Sequence, residues 1–432
     1  MKIKGRNSKL ILKRLQTYLI AVIALSFLFS CATAVQQSGG KINSLGVTDI
    51  SEGLPADGQW RQNIALADMD GDGLLDIVAP PPRKAKEEEN MPHVFLRGQS
   101  GWKKVSYTFP TLGDFGYGGI AVGDMDGDGY PDIVLAVHDR RIILLKNDGG
   151  KGFTERPFAV KEPFRSRTVE MSDINADGRL DIIALSSAAF SPGSYKPNGI
   201  LLAIKSGDMG WDMKILEGSA GLFGDSMAVA DLKGTGKKDI IIAPLMANRE
   251  DATPVWFGDG EGNFRPYKGD VIAEYATGNV VPSFVRAGDL DADGKDELVF
   301  KVSGFGVEPR SYLAAYKWDG EGFANISGGL EAVQNPVVFN LADADGDGKK
   351  ELIVLSIEGM RIYKYTGRGW IERGQYELSF AETAGASDLK AGRNGDGSFL
   401  IVYSLGLEGE DHNRGLRAYL MNPEATGEKK GK

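Results

Sequence analysis

Five times along this chain the same nine-residue pattern returns: acid, any residue, acid or amide, glycine or alanine, acid, glycine, two further residues, acid. The copies run Asp68–Asp76, Asp124–Asp132, Asp173–Asp181, Asp289–Glu297 and Asp343–Glu351. Two worn copies share the frame, Asp231–Asp239 with Lys233 at its third place, and a region from Asp388 to Asp396. Starts at residues 68, 124, 173, 231, 289, 343 and 388 lie 45 to 58 residues apart. A period near fifty marks the blades of a propeller or another closed array, in which each unit buries its apolar face only against its neighbours.

Each unit repeats an internal order. An alternating segment enters the loop (Gly119–Gly123, Met227–Ala230) and an apolar run leaves it (Ile133–Val137, Ile182–Leu185, Leu352–Leu355). A third apolar segment follows, such as Arg141–Lys146 or Arg361–Tyr365, then a glycine turn and an aromatic residue opening a fourth. Those aromatics are Trp102, Phe153, Trp211, Phe264, Phe323 and Trp370, and their shared place in the unit argues for core packing over sugar stacking. Four short strands per unit without a helical stretch predict an all-β, seven-bladed β-propeller of four-stranded blades. The seventh unit ends after its third strand, Leu416–Leu420, so the segment from residue 41 to 52 is expected to supply the missing outer strand and close the ring.

The acids point to a hard cation. Calcium takes about six to eight oxygen ligands, and alternate carboxylates around a glycine turn wrap such an ion. An EF-hand is excluded, because its twelfth position needs a bidentate glutamate between helices, whereas the first loop has Ala79 there, inside a strand pattern. The expected ligands, for about five structural calcium ions, are Asp68, Asp70, Asp72, the Leu74 carbonyl and Asp76, then Asp124, Asp126, Asp128, the Tyr130 carbonyl and Asp132. The third set is Asp173, Asn175, Asp177, the Arg179 carbonyl and Asp181, and the fourth Asp289, Asp291, Asp293, the Lys295 carbonyl and Glu297. The fifth is Asp343, Asp345, Asp347, the Lys349 carbonyl and Glu351. In the Asp231 copy the ammonium of Lys233 is expected to take the ion's place beside Asp231 and Asp239.

Residues Phe115-Gly116, Gly119–Asp124 and the loop and strand after them resemble the FG-GAP repeat of integrin α-subunit propellers, and Phe223-Gly224 repeats the opening. The Asn147–Gly150 turn with Phe153 is similar to the related VCBS repeat of bacterial surface proteins. The resemblance spans about residues 41–420 and implies a calcium-stapled propeller; its relatives serve adhesion, glycan binding and a few enzymes, so it does not fix a function.

At the N-terminus a basic segment (Lys2, Lys4, Arg6, Lys9, Lys13, Arg14) precedes an apolar core, Tyr18–Phe29, short for a membrane span. Residues 28–31, Leu-Phe-Ser-Cys, resemble a bacterial lipoprotein signal that lipidates Cys31; cleavage after Ala32-Thr33-Ala34, or an uncleaved anchor, are the alternatives. All three imply export, with residues 1–30 a signal, 31–40 a tether and 422–432 a disordered tail around a propeller at 41–421. Cys31 is the only cysteine, so stability must come from packing and metal.

A net charge of -9 speaks against nucleic-acid binding. There is no nucleophile elbow or phosphate loop, and His93, His138 and His412 stand in no ligand or triad spacing. The long connections, residues 80–90, 186–198 and 246–254, join second to third strands and emerge opposite the acidic loops. That face would carry Phe115, Tyr117, His138, Arg165, Arg167, Tyr195 and Phe223, a basic, aromatic surface for an unknown protein or glycan. The expected role is a non-catalytic binding, adhesion or assembly module, lipid-anchored in the cell envelope or secreted; the alternative is a carbohydrate-active propeller, a lectin or a polysaccharide lyase.

Overall fold

A computed structural model describes residues 43–98, 101–110, 115–138, 140–158, 160, 164–187, 198–207, 210–244, 255–272, 280–304, 311–406 and 415–421. The signal, Cys31, the tether, the 246–254 connection, Tyr195, His412 and the tail lie outside the described residues. The strands form seven four-stranded antiparallel sheets, each a blade. β1 (Val47–Asp49) stands apart in sequence from its sheet. Blade one holds β2 (Ala65–Ala67), β3 (Asp76–Ala79), β4 (His93–Gly98) and β5 (Gly101–Val105). Blade two holds β6 (Gly118–Gly123), β7 (Asp132–Val137), β8 (Ile142–Asn147) and β9 (Phe153–Arg156). Blade three holds β10 (Ser166–Ser172), β11 (Asp181–Ser186), β12 (Ile200–Ser206) and β13 (Gly210–Ile215). Blade four holds β14 (Gly224–Ala230), β15 (Asp239–Pro244), β16 (Val255–Gly258) and β17 (Phe264–Pro266). Blade five holds β18 (Val280–Gly288), β19 (Glu297–Gly304), β20 (Ser311–Trp318) and β21 (Phe323–Asn325). Blade six holds β22 (Pro336–Ala342), β23 (Glu351–Ser356), β24 (Gly359–Tyr365) and β25 (Trp370–Glu377). Blade seven holds β26 (Ala386–Arg393), β27 (Phe399–Leu405), β28 (Gly415–Met421) and, as its outer strand, β1.

The second strands are the continuous apolar runs, and β7, β11, β15, β23 and β27 are buried from end to end. A strand covered on both faces reads as such a run rather than as an alternation. Seven apolar clusters fill the seven interfaces between neighbouring blades. The one joining blades seven and one packs Leu400, Val402 and Leu416 against Trp60, Ile77 and Phe95, so the ring is closed. First strands touch first strands, β6 against β10 and β14 against β18, which places them innermost.

Closure follows the expectation. Val47, Thr48 and Asp49 pair with Met421, Leu420 and Tyr419, and Leu45 and Val47 are buried in the cluster between blades six and seven.

Five innermost strands bulge by one residue near their start, between Ser166 and Thr168, Gly224 and Ser226, Pro282 and Phe284, Pro336 and Val338, and Ala386 and Asp388. A bulge leaves the extra residue unpaired and re-aims its side chain. In blades three and four that residue is Arg167 and Asp225, both at the end opposite the acidic loops.

Candidate functional site

Each acidic loop joins the first and second strands of its blade, and its first aspartate folds it. Asp68 Oδ1 accepts the N–H of Gly71 and Asp72, and its Oδ2 accepts that of Gly73. Asp124 does the same for Gly127, Asp128 and Gly129. The sixth position is glycine throughout because its φ is positive, +84° at Gly73 and +87° at Gly129 and Gly348. The N–H groups of Leu74, Tyr130, Arg179, Lys295 and Lys349 are held by the fifth-position aspartates Asp72, Asp128, Asp177, Asp293 and Asp347 at 2.8–3.0 Å.

The ninth-position acid latches the loop to its blade. Asp76 accepts the N–H of Met69 and of Arg97, both at 2.8 Å; Asp132 takes those of Met125 and Asn147, and Asp181 those of Ile174 and Lys205. Both oxygens of these aspartates are thus committed to backbone. Burial pushes Asp76 up to about 7 against its N–H bonds from Arg97 and Met69, and Asp132 up to about 6. In blades five and six the longer glutamate divides its labour. Glu297 and Glu351 each give one oxygen to a loop N–H, from Leu290 and Ala344, at 2.8 Å. Their other oxygens are buried and face a lysine ammonium, Lys317 at 2.9 Å and Lys364 at 3.1 Å, while Asp291 Oδ1 is buried and accepts no hydrogen bond.

Carboxylate oxygens gather within 4.8 Å of one another in four loops: Asp68, Asp70 and Asp76; Asp124, Asp126 and Asp132; Asp289, Asp291 and Glu297; Asp343, Asp345 and Asp347. In the Asp173 loop Asn175 replaces one carboxylate and donates to Asp177 at 3.1 Å. All-oxygen donors with buried lone pairs to spare suit a hard cation.

Three of these loops receive a lysine from their third strand, and in the Asp173 loop Arg179 pairs with Asp177 at 2.6 Å. Lys146 of β8 pairs with Asp126 and Asp128, Lys317 of β20 lies 2.7–2.9 Å from Asp291, Asp293 and Glu297, and Lys364 of β24 lies 2.6–3.1 Å from Asp345, Asp347 and Glu351. Burial opposes the charge of Lys364, but its bonds to Asp345 and Asp347 outweigh that and push its value up. The equivalent places are Leu96 in blade one, Ile204 in blade three and Phe257 in blade four. The signal was in the sequence, a lysine one place before Asn147, Trp318 and Tyr365 in three third strands, but it reads as an ordinary exposed charge until the strands are paired.

The two worn copies differ from the others. Lys233 holds its ammonium 3.7 Å from the Phe257 ring centroid, without a direct ion pair to Asp231 or Asp239, and its charge still acts to lower Asp239. Asp239 is latched by the N–H of Leu232 and Gly258, and burial raises it to about 6. Asp388 is no loop residue at all: it is buried in β26, where it accepts from Arg286 at 2.9 Å and from the N–H of Ile64 at 3.0 Å.

On the opposite face the structure brings together Tyr117, His138 and Arg167. The Tyr117 and His138 rings stack at 4.8 Å, with Tyr117 Oη 3.1 Å from His138 Nδ1. Arg167 Nη1 is 3.3 Å from His138 Nε2, and its Nε donates to Asp225 at 2.5 Å. Arg83 lies over Tyr117 at 5.8 Å. Asp225 and Arg83 escaped the sequence reading because the bulges that re-aim Arg167 and Asp225 leave no residue signature. Gly119 lets the strands approach, since a Cβ there would sit 2.5 Å from the Arg167 carbonyl oxygen. Arg165 is half-buried, whereas Phe115 is buried in the core between blades one and two. His93 is buried between Trp60 and Phe95 with Nε2 on the Glu89 carbonyl.

A family model described as an FG-GAP-like repeat matches residues 124–184 and 231–300, each stretch holding two of the loops with the strands that follow them. The chain carries FG-GAP-like repeats. The strand order gives seven four-stranded blades, and the matched residues fall in blades two to five. Among solved structures it is similar to BBS1N, solved in complex with ARL6DN, at 13% identity over 85% of this chain and 93% of that one, with a TM-score of 0.50. An Agrocybe aegerita lectin that recognises non-reducing terminal N-acetylglucosamine matches at 16% identity over 84% and 86%, with a TM-score of 0.48. The V. cholerae biofilm matrix protein Bap1 matches at 12% over 89% and 92%, with a TM-score of 0.44. At such identities only the fold is shared. No curated protein sequence matches the chain.

Proposed function

We propose that this FG-GAP-like propeller is an exported, non-catalytic binding module, whose acidic loops hold calcium as a structural ion and whose opposite face engages a protein or glycan of the cell envelope. The observation that carries the reading is the Tyr117–His138–Arg167–Asp225 group, assembled from three blades on a rigid ring. His138 has both ring nitrogens engaged, by Tyr117 and Arg167, which suits a fixed recognition surface better than a base that must accept a substrate proton. The lipid anchor at Cys31 belongs to the same reading, since it would hold the ring at a membrane surface.

Calcium is the cation that best suits ligands made only of oxygen. Asp68, Asp70, Asp72 and Asp76 with the Leu74 carbonyl would hold it in blade one, and the equivalent residues in blades two, three, five and six. Bound there, the ion supplies charge neutralisation and ties the first two strands of a blade together; no substrate position is implied.

The test is binding of the purified protein to isolated envelope fractions and to a glycan panel, alongside a His138→Ala, Tyr117→Ala double variant. Binding should fall at least about tenfold in the variant, with its melting temperature within about 2 °C of the parent. Undiminished binding would place the recognition face elsewhere.

A further inference from the structure

A second feature lies on the other face, between blades two and three. There the Asp124 loop, the end of β8, β9, the turn after β12 and the start of β13 enclose a cavity of about 380 Å³, within the usual range for small-molecule sites. Its apolar wall is Leu144 with Pro157, and Trp211 stands at its side. The indoles at this strand-four position behave differently elsewhere in the ring. Trp102 and Trp370 are buried and donate Nε1 to the carbonyls of Ile50 and Ile326 at 2.8 and 2.9 Å. Trp211 is half-buried, and among the described residues its Nε1 has no acceptor. A buried indole N–H ordinarily finds one, and one left accessible is a donor on offer to a ligand.

The charges around the cavity are lopsided in the same sense. Its acids belong to the blade-two cation loop: Asp124 accepts the loop N–H groups, Asp126 faces Lys146 or the ion proposed for that loop, and Asp132 accepts from Met125 and Asn147. Arg156, half-buried on β9, lines the cavity and forms no ion pair among the described residues. Lys205 holds its ammonium 4.7 Å from the Trp211 ring centroid, at the same wall. What the cavity offers is therefore donors and positive charge beside an apolar surface. Its complement is an amphipathic anion with one C–H face and several hydroxyls. A sugar acid has that chemistry: a carboxylate for the guanidinium, ring hydroxyls as acceptors, and a face of C–H groups. A bare phosphate would leave Leu144 and Pro157 unused.

We infer that the cavity between blades two and three is a binding site for an acidic saccharide, with Arg156 receiving the carboxylate, Trp211 donating to a hydroxyl and Leu144 supporting the ring. The site is separate from the His138 face and does not depend on it.

Isothermal titration with trigalacturonate and with a hyaluronan tetrasaccharide tests this, with neutral galactotriose as the comparison. At least one acidic probe should bind, and galactotriose should bind at least about tenfold more weakly. Arg156→Ala should weaken the acidic probe by about tenfold or more, and Trp211→Phe, which keeps the ring and removes the donor, by a few-fold. Both variants should melt as the parent does, and His138→Ala should bind the probe normally. Failure of both acidic probes, equal binding of galactotriose, or parent-like affinity in Arg156→Ala would overturn the assignment. Loss of the probe in His138→Ala would do so too, while leaving the opposite-face reading standing.

Discussion

A single third-strand residue divides the acidic loops into two kinds. Blades one and three have Leu96 and Ile204 beside the acids, so no third-strand ammonium reaches either loop, and in blade three Arg179 pairs with Asp177 alone. Blades two, five and six present Lys146, Lys317 and Lys364, and any ion entering there must displace an ammonium. Calcium should therefore fill blades one and three first. Lys364→Met removes the competitor from Asp345, Asp347 and Glu351, and should raise metal affinity at that loop by about tenfold in a calcium titration. In chelator the same change leaves those acids unneutralised and should destabilise the protein by about 1–3 kcal/mol. Unchanged stoichiometry and affinity in Lys364→Met would show that the ammonium does not compete. The latch acids supply a second expectation at this scale. Asp76 and Glu297 are raised to about 7, and Asp132 and Asp239 to about 6, burial being the main cause in each. An acid whose folded value exceeds its unfolded one binds its proton more tightly when folded. Its contribution is complete below the unfolded value and is lost as pH rises through the folded value. Metal-free protein should then melt roughly 5 °C or more higher at pH 5 than at pH 8. An equal or higher melting temperature at pH 8 would mean the latches titrate normally.

At the scale of the element, what the chain announces and what it conceals separate by mechanism. Strand identity was legible because a doubly covered second strand must be apolar throughout, as Ile133–Val137 and Ile240–Ala243 are. The loops were legible because a tight turn around an aspartate needs glycine at positive φ six residues in. The latch role of Asp76, Asp132 and Asp181 was not: the spacing that suits a ligand also suits a backbone acceptor, and the N–H bonds show only once the third strand is paired. The bulges were equally hidden. Arg167 and Asp225 sit in ordinary alternating strands, and their meeting depends on one extra residue in each of two blades. The shared strand-four position predicted core packing for all six aromatics: Trp102, Phe153, Phe264 and Trp370 are buried, and Trp211 and Phe323 are half-buried with their rings against the inter-blade clusters.

For the whole molecule the decisive contact is the one between its ends. Blade seven takes three strands from the last part of the chain and its outer strand from residues 47–49, so the ring is complete only when segments some 370 residues apart in sequence have met. Leu45 and Val47 enter the same cluster as Tyr419 and Met421, and Ser51 Oγ accepts the N–H of Ala418 at 3.0 Å. The segment then continues into blade one, where Trp102 donates to the Ile50 carbonyl and its N–H to Glu52, so one short stretch fastens both sides of the closing interface. Leu45→Ala empties a fully buried site and should cost about 2–5 kcal/mol. Val47→Asp buries an unpaired charge in the same cluster and should cost at least as much. Thr48→Ala, on the exposed side of the same strand, should change stability by less than about 0.5 kcal/mol. Removing residues 41–52 strips β1 from Tyr419–Met421 of β28, and should abolish the cooperative melt and leave a chain prone to associate through β28. A truncated protein that melts like the parent would show that the ring is held by its seven inter-blade clusters alone, with β1 an ornament on a structure already closed.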